Sequence, residues 1–419
     1  MKSGGMMYKR LLYLILFLMA IPSPHVFGQS DEYMDFDRYF LCDARAKAMG
    51  NTEILGVVGA NALFANPANM FESDQIQFSI GGGIYSGDEN SSLYKKNYER
   101  YTSDYPAVYR FNSLSAVLPI LIEKQNFITT IGIAYHVEKN MNQKYEYSYR
   151  YPVWEDVHNY EDFESRHTGG LKFLSPGFSV SMANGISLGM SYHRTVSSNF
   201  KNARSTKNIT YFQETFPDIY SNDSDAEINF ESSYFTIGMV YNKNPIAFGM
   251  MIKTAHEIEY KDIIHRRNGV EIWNPDNLTY KEPVQYGFSL GYNIPDKIFL
   301  IYELQTRKFS EVEVDGYKED VEDEYTHKLG AEYHVLNLLA LRAGAFIDYI
   351  PSYSGTFSSN TEEVICWTTG IGLNFSRITL DISFESLGYS RPTSNYGISG
   401  SNDYKFRFID CSLTYYFNN

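Results

Sequence analysis

Long apolar runs are scarce in this 419-residue chain, and their scarcity excludes one class of membrane protein. A membrane-spanning helix needs about 20 consecutive apolar residues. The run from Leu11 to Ile21 is the strongest candidate, and it is too short. Because Lys9 and Arg10 precede this run and the small residue Gly28 follows it, we interpret residues 1–28 as an export signal that is cleaved after Gly28. The sequence therefore predicts an exported protein without α-helical membrane spans.

Cysteine and positive charge are also in short supply. The three cysteines, Cys42, Cys366 and Cys411, are odd in number and far apart, which excludes a disulfide framework and favours small buried hydrophobic side chains. The net charge is -14. Because phosphate binding requires a basic face, this charge disfavours nucleic acid as a partner.

Motifs of enzyme chemistry are missing from the sequence as well. It contains no Gly-x-Ser-x-Gly elbow, no His-Glu-x-x-His zinc motif and no glycine-rich phosphate loop. His136 and His193 fall on inward positions of predicted strands, where a polar lining is expected rather than a metal site, because no ligand cluster surrounds them. A Ser-His-acid triad spread over several strands stays open. We expect no enzymatic activity, no cofactor and no metal.

What the chain does have is a strict alternation of apolar and polar residues. Near the C-terminus, Cys411, Leu413, Tyr415 and Phe417 fall on one face of a strand, and Ser412, Thr414 and Tyr416 on the other. One face suits lipid and the other suits water or a ligand. Aromatic residues make up 16% of the chain, which suits the aromatic girdles of a membrane barrel.

The alternation recurs along the chain and predicts strands in fourteen places. They are 75–85, 108–119, 126–138, 171–183, 186–193, 228–242, 245–258, 283–293, 297–308, 325–335, 339–348, 365–374, 378–385 and 411–417. Tight turns rich in Asn, Gly and Pro alternate with long polar loops, which are predicted at 86–107, 139–170, 198–227, 259–282, 309–324, 349–363 and 388–403. A soluble β-sandwich or propeller would carry Lys and Glu on the outward faces that are apolar here. The pattern predicts an all-β protein, a 14-stranded antiparallel transmembrane β-barrel of the bacterial outer membrane.

A segment of different composition precedes the first predicted strand. Residues 29–73 are rich in Ala and Gly, which allows close packing, and we predict that they form a plug inside a barrel of residues 74–419. Asn66, Pro67 and Ala68 end this segment. They are either a helix stop or a gate in which Asn66 ties the plug to the wall and Pro67 stiffens the hinge.

This segment also resembles a known family. The run from Ala44-Arg45-Ala46 to Met49-Gly50, closing with Leu63-Phe64 and Asn66-Pro67-Ala68, is similar to the N-terminal hatch of the FadL/TodX family of hydrophobic-compound channels. Two late passages, Gly330-Ala331-Glu332-Tyr333 and Leu341-Arg342-Ala343-Gly344, resemble the same family, so the likeness covers nearly the whole mature chain. The resemblance implies a fourteen-stranded barrel with a hatch and an amphiphilic or hydrophobic ligand.

Charged residues at inward positions form a second candidate site. They lie on four of the last five predicted strands: Lys328, Glu332, Arg342, Asp381, Glu385 and Asp410. Their mixed signs suggest an ion-paired network against the hatch, although polar residues also simply fill a wet barrel. Arg342 is the leading candidate, because a lumenal arginine either pairs with a carboxylate such as Asp381 or receives an anionic head group.

These observations and the resemblance together predict an outer-membrane channel. It would take up hydrophobic small molecules, such as long-chain fatty acids or hydrocarbons, passively and under control of the hatch. Its expected partners are the ligand and outer-membrane lipid. The alternative is a scaffold or shuttle in protein secretion with a protein partner, because the Asp43-Ala44-Arg45-Ala46 and Met49-Gly50 pattern also resembles PorV-like proteins.

Overall fold

The computed structural model describes residues 43–72, 75–93, 102–122, 127–154, 157–212, 216–273, 277–318, 323–354, 358–395 and 398–417. The predicted export signal, the first part of the predicted plug and Cys42 lie outside these residues. Within them, no helix is long and apolar enough to cross a membrane.

Fourteen strands close into an antiparallel barrel, as predicted. They are β1 (Ile76–Leu93), β2 (Thr102–Ile122), β3 (Phe127–Asn140), β5 (Val157–Met182), β6 (Ile186–Thr195), β8 (Phe216–Lys243), β9 (Ile246–Lys253), β13 (Gln285–Ile294), β14 (Ile298–Arg307), β17 (Glu324–Leu336), β18 (Leu339–Ser354), β19 (Ser358–Asn374), β20 (Ile378–Asn395) and β21 (Ile398–Phe417). Pairing of β1 with β21, from Ile76 opposite Phe417 to Leu93 opposite Gly400, closes the ring. Closure joins the first strand to the last, so that neither is left as a free edge in the bilayer.

Burial follows the predicted alternation. On β6, Ser187, Ser191 and His193 are buried, whereas Leu188 is 46% exposed and points outward. The outward positions form an apolar band that also includes Ile133, Phe178, Ile237, Leu290, Leu341 and Trp367. A surface of this kind is stable in hydrocarbon and would be unfavourable in water. The band therefore marks the face of the barrel that contacts lipid.

Short turns join the strands at one end of the barrel, which we call the turn end. The sequence predicts tight turns at Asn184-Gly185, 242–245 and 293–297, and turns are present within these ranges. Gly185 has a φ of +90°, and a Cβ at this position would lie 2.5 Å from the carbonyl oxygen of Asn242. The turn therefore requires glycine.

The opposite end, which we call the extended end, departs from the prediction. Most of the residues predicted as long loops form paired strands. Besides the extended ends of the barrel strands, seven further strands contribute: β4 (Gln143–Trp154), β7 (Asn199–Phe212), β10 (His256–Arg267), β11 (Val270–Trp273), β12 (Leu278–Glu282), β15 (Glu313–Val314) and β16 (Tyr317–Lys318). β7, for example, pairs with β8 along its whole length. The prediction of loops was wrong because the outward face no longer needs apolar residues above the apolar band, so the alternation weakens while the backbone pairing continues.

Residues 43–72, which we call the lumenal segment, pack against the inward face of the wall. The segment contains a short helix, α1 (Ala44–Ala48), and two 3₁₀ helices, Gly59–Phe64 and Pro67–Glu72. The side chain of Asp43 caps α1 by accepting a hydrogen bond of 2.8 Å from the amide of Ala46. Some backbone amides of the segment donate to wall side chains instead, such as the amide of Gly50 to Thr368 at 2.8 Å and that of Ala60 to Gln77 at 3.1 Å.

Candidate ligand channel

Wall glycines make room for the lumenal segment. A Cβ at Gly344 on β18 would lie 2.0 Å from the amide nitrogen of Gly50, and one at Gly189 on β6 would lie 2.4 Å from the carbonyl carbon of Pro67. Real Cβ atoms do not approach backbone so closely, so these two positions must be glycine. The segment is thus in direct backbone contact with well-separated parts of the wall.

The predicted gate residues lie at the β6 and β9 side of the lumen. Asn66 is fully buried, and its amide donates to the carbonyl oxygens of Ile54 at 3.0 Å and Met250 at 3.4 Å. Its side-chain oxygen accepts from the amide of Ala68 at 3.2 Å. Pro67 and Ala68 lie against Gly189. Asn66 therefore contacts both the segment and β9, while its role in gating remains a prediction.

Arg342 lies between two carboxylates near the turn end. Its Nε donates a hydrogen bond to the carboxylate of Glu332 at 2.6 Å, and its Nη1 donates one to the carboxylate of Asp381 at 2.6 Å. Arg45 of the lumenal segment reaches the same Glu332, with Nε at 2.9 Å and Nη2 at 3.0 Å. Three of the predicted residues are therefore brought together with one residue of the segment. Because both carboxylates occupy the guanidinium of Arg342, this arrangement favours the ion-pairing role over the head-group role.

Lys328 belongs to a second cluster. Its Nζ lies 3.0 Å from Glu53 of the lumenal segment and 3.4 Å from Glu303 of β14. Glu303 is fully buried, and its carboxylate accepts hydrogen bonds from the backbone amides of Glu53 at 3.0 Å and Ile54 at 2.7 Å. A wall carboxylate thus bonds two amides of the segment directly, while Lys328 offsets its charge.

Asp410 forms a third cluster, apart from the other two. One oxygen bonds Nζ of Lys47 in α1 at 2.7 Å, and the other bonds the amide of Asn112 at 2.7 Å. Glu385 is buried on the same face of β20 as Asp381, four residues further from the turn end. Five of the six predicted inward charges therefore belong to three clusters, and each of these clusters includes one charged residue of the lumenal segment.

Buried ion pairs of this kind hold a segment in one position rather than add much net stability. Desolvation offsets most of the attraction when both partners are present, but removing one partner costs about 3–5 kcal/mol because a charge is left buried and unpaired. Arg45, Lys47 and Glu53 can leave the wall only if three such clusters separate. The lumenal segment is accordingly fixed by electrostatics at several points.

Above these clusters, toward the extended end, the inward face is aromatic on one side of the lumen. The side chains of this aromatic face are buried and come from β1, β2, β4 and β18–β21: Tyr85, Tyr105, Tyr145, Phe346, Val364, Cys366, Leu387, Tyr404, Phe406 and Phe408. The ring centroids of Tyr85 and Phe408 are 4.9 Å apart, and those of Tyr105 and Phe406 are 5.3 Å apart. Inward positions of a water-filled barrel are normally polar. An apolar inward face is what a hydrophobic ligand requires.

The other side of the lumen combines polar side chains with a second buried apolar cluster, which includes Phe173, Phe230 and Tyr234. His193 bonds Ser175 through Nδ1 at 2.7 Å, and its Nε2 lies 3.0 Å from the hydroxyls of Ser191 and Thr236. Both ring nitrogens of His193 form hydrogen bonds with hydroxyls, so no carboxylate orients this ring as a catalytic triad would need. The residues that the structure describes hold no cluster able to bind a metal. His136 stacks on Phe173 with centroids 5.7 Å apart. The two histidines are part of a packed wall of hydroxyl and aromatic side chains.

The wall changes its pairing between β2 and β3. These strands pair from Ile122 opposite Phe127 up to Ser113 opposite His136, and β2 pairs next with β4, at Asp104 opposite Glu146. Residues 105–112 lie between the two ladders. Arg110 crosses this interval by donating to the carbonyl oxygen of Asn142 at 3.0 Å. The rings of Tyr105 and Tyr145 also meet there, at 5.1 Å.

A cavity of about 260 Å³ lies at the turn end, beneath the lumenal segment. Leu55, Val240 and Phe299 form its apolar part, and Arg45 and Glu332 form part of its polar lining. It is large enough for a small molecule, and the Arg45–Glu332 ion pair borders it. The lumen is thus divided into an aromatic side above the segment and a small cavity below it.

Sequence reasoning missed several of the residues that matter here. Arg45, Lys47, Glu53 and Glu303 were not proposed as site residues, although the first three are charged residues in a segment predicted to be buried. The aromatic face could also have been recognised, because Phe346, Phe406 and Phe408 occupy inward positions. Cys366 is buried as predicted, whereas Cys411 is exposed, contrary to the prediction, because it lies on the outward face.

A closed fourteen-stranded barrel with an apolar outward band and a segment packed in its lumen defines a transmembrane β-barrel. No protein-family model and no curated protein matches the chain. Among solved structures, the toluene transporter TodX of P. putida has a TM-score of 0.58 and 11% identity, covering 90% of this chain and 98% of TodX. The toluene transporter TbuX of Ralstonia pickettii has a TM-score of 0.54 and 12% identity, covering 90% of this chain and 98% of TbuX. The monoaromatic hydrocarbon channel CymD has a TM-score of 0.52 and 11% identity, covering 90% of this chain and 97% of CymD. The chain shares the fold of these channels, which confirms the predicted fold.

Proposed function

We propose that this protein is an outer-membrane channel for the passive uptake of hydrophobic small molecules, with the lumenal segment as its gate. The aromatic face is the observation that carries this proposal. It is a buried apolar cluster on the inward side of the wall that reaches from the extended end to Phe408, beside Lys47 of the lumenal segment, where a molecule entering from outside would arrive. The fold shared with three hydrocarbon channels supports the same conclusion, as does the absence of enzymatic motifs.

The route begins at the extended end, which we assign to the cell exterior. A hydrophobic molecule would leave water for the aromatic face, where each buried ring contributes apolar contact. It would then stop at the lumenal segment, because α1 and the two 3₁₀ helices contact the wall on several sides. Onward passage requires either movement of the segment toward the cavity at the turn end or lateral escape through the interval between β2 and β3.

Uptake of a neutral hydrophobic probe, such as radiolabelled toluene, into proteoliposomes with a lipopolysaccharide outer leaflet tests the proposal, because the polar sugar layer slows unaided entry of the probe. Phe406→Ala removes a ring that contacts Tyr85, Tyr105 and Tyr404. We expect uptake at low probe concentration to fall about fivefold, since an aromatic contact contributes about 1 kcal/mol. Phe384→Ala, on the outward face of the neighbouring strand, is the control and should leave uptake unchanged. Equal uptake by empty and protein-containing liposomes would contradict the channel.

A scaffold or shuttle in protein secretion is the second candidate, and the extended end favours it. Strands such as β7 and β8 continue as paired hairpins beyond the apolar band and present a large polar surface. If this candidate is correct, deletion of the β7–β8 hairpin tip abolishes a stoichiometric protein complex, and wild-type proteoliposomes take up no probe.

A further inference from the structure

A concave region lies on the outside of the wall, just beyond the apolar band at the extended end. We call it the outer groove. It has a volume of about 1080 Å³ and is lined mainly by polar and charged side chains of β5, β6, β8, β10 and β12. Neither the aromatic face nor the lumenal segment accounts for it, because its charged residues are on outward positions.

Two interruptions of the wall create this groove at one level. β6 ends at Thr195 and β7 begins at Asn199, while β9 ends at Lys253 and β10 begins at His256. Hydroxyl side chains replace ladder hydrogen bonds at both places. Ser198 accepts from the amide of Lys172 at 2.8 Å and donates to its carbonyl at 2.9 Å, and Thr254 accepts from the amide of Phe235 at 3.0 Å. The concavity is therefore built into the wall.

The height of the groove relative to the lipid is set by its neighbours. Leu174 and Phe235, which are 39% and 40% exposed, form the upper edge of the apolar band. Tyr192 packs on Phe235 with ring centroids 5.0 Å apart, as expected for an aromatic girdle at a membrane interface. Lys172 is the next outward residue after Leu174 on β5, and Arg194 lies directly opposite Leu174. The groove begins where lipid head groups are located.

Charge is distributed unevenly within the groove. Its lining contains four cations and four carboxylates: Lys172, Arg194, Lys261, Lys281, Glu231, Glu257, Glu259 and Asp262. Away from the lipid, Lys261 lies 2.8 Å from both Glu231 and Glu259, and Lys281 lies 3.0 Å from Glu313. At the lipid edge, Nζ of Lys172 donates to the carbonyl of Ser197 at 3.2 Å. Among the described residues, neither Lys172 nor Arg194 forms a salt bridge.

We propose that the outer groove binds a phosphorylated glycolipid of the outer leaflet, with Lys172 and Arg194 contacting a phosphate. The inference rests on the proposed outer-membrane location and concerns a surface separate from the channel. The phosphate lies between the two cations, the acyl chains run down the apolar band beside Leu174, and the sugar occupies the hydroxyl-lined part of the groove. Arginine and lysine are both suited to phosphate, arginine through paired donors.

Binding of bis-phosphorylated, hexa-acylated lipid A to the purified full-length protein in detergent, followed by native mass spectrometry, tests this. We expect the double variant Lys172→Gln/Arg194→Gln to bind about 30-fold more weakly, because each cation near the phosphate contributes about 1 kcal/mol. Dephosphorylated lipid A should bind the wild type with a similar loss. Lys243→Gln/Lys297→Gln removes two exposed cations at the turn end and should bind like the wild type.

Three results would overturn the inference: no binding of lipid A by the wild type, equal binding by the groove variant, or equal binding of dephosphorylated lipid A. If the groove variant folds poorly, the exchange Lys172→Arg/Arg194→Lys keeps both charges and should retain binding. Uptake of the hydrophobic probe should be the same in the groove variant and the wild type. A failed uptake assay with intact lipid A binding would therefore count against the channel alone, and the reverse pattern against the groove alone.

Discussion

The inward side chains of the same strands differ between the half of the lumen near the turn end and the half near the extended end. Near the turn end, β18, β20 and β21 present Arg342, Asp381 and Asp410, which surround the lumenal segment. Further along the same strands, Phe346, Leu387 and Phe406 face inward and form the aromatic face. Charge on a wall fixes a segment in place, whereas aromatic rings offer a surface along which an apolar molecule can move. The contrast supports the proposal that the first half holds the gate and the second half captures the ligand.

The largest effect should follow from breaking the charged half. Arg342→Met leaves Glu332 and Asp381 buried with one cation fewer, at a cost of about 3–5 kcal/mol. We expect the lumenal segment to loosen around Arg45 while the other two clusters still hold it, which single-channel conductance in planar bilayers would detect as more frequent openings. Arg377→Met, at an exposed turn, is the matched control. Conductance identical to wild type in the Arg342 variant would show that the Arg342 cluster does not help to hold the segment.

A smaller effect should follow from Asn66→Ala. This change removes the donor to the carbonyls of Ile54 and Met250, and an unsatisfied buried group costs about 1–3 kcal/mol. Asn69 still donates to Ile54 at 2.7 Å, so the segment should loosen rather than detach. We expect probe uptake to change measurably, with Asn229→Ala at the extended end as the control. Unchanged uptake would rule out Asn66 as a gate residue.

The smallest effect should come from an ion pair outside the lumen. The hydroxyl of Ser310 donates to Asp323 at 2.7 Å and, with Lys308, lowers the pKa of this carboxyl below its usual value. Because the folded-state pKa is lowered, the contribution to stability is present above the unfolded pKa and is lost as the pH falls through the folded one. Asp323→Asn should therefore lower the melting temperature at neutral pH less than either lumenal variant does, with no difference at strongly acidic pH. If Asp323→Asn lowered the melting temperature more than Arg342→Met does, the expected order of the two effects would be wrong.

The sequence predicted the barrel well and the contacts inside it poorly, for a physical reason. Lipid requires an apolar residue at every second position, so strands such as 378–385 are visible in the alternation alone. Beyond the lipid this requirement ends, and strands such as β4 and β7 were predicted as loops. Partners inside the lumen are far apart in sequence: Arg45 and Glu332 are separated by 287 positions, and Lys47 and Asp410 by 363. No local pattern encodes such pairs.

The resemblance of the N-terminal segment to a hatch directed attention to Asn66, Pro67 and Ala68, which do contact the wall. It could not identify Glu303, whose carboxylate binds two amides of the segment from β14. That role depends on the depth at which residues 53 and 54 lie in the lumen, which only the folded chain determines.

A reversible cross-link between the lumenal segment and the wall tests the gate most directly. The hydroxyl of Ser115 on β2 lies 2.8 Å from the side-chain oxygen of Asn61, so Ser115→Cys/Asn61→Cys in a variant without the native cysteines should form a disulfide. Ser181→Cys/Ser187→Cys, whose native hydroxyls are 2.8 Å apart within the wall, is the control. We predict that oxidation of the first pair stops probe uptake and reduction restores it, while the second pair has no effect. Full uptake with the first disulfide formed would contradict the account, because the segment would then not need to move.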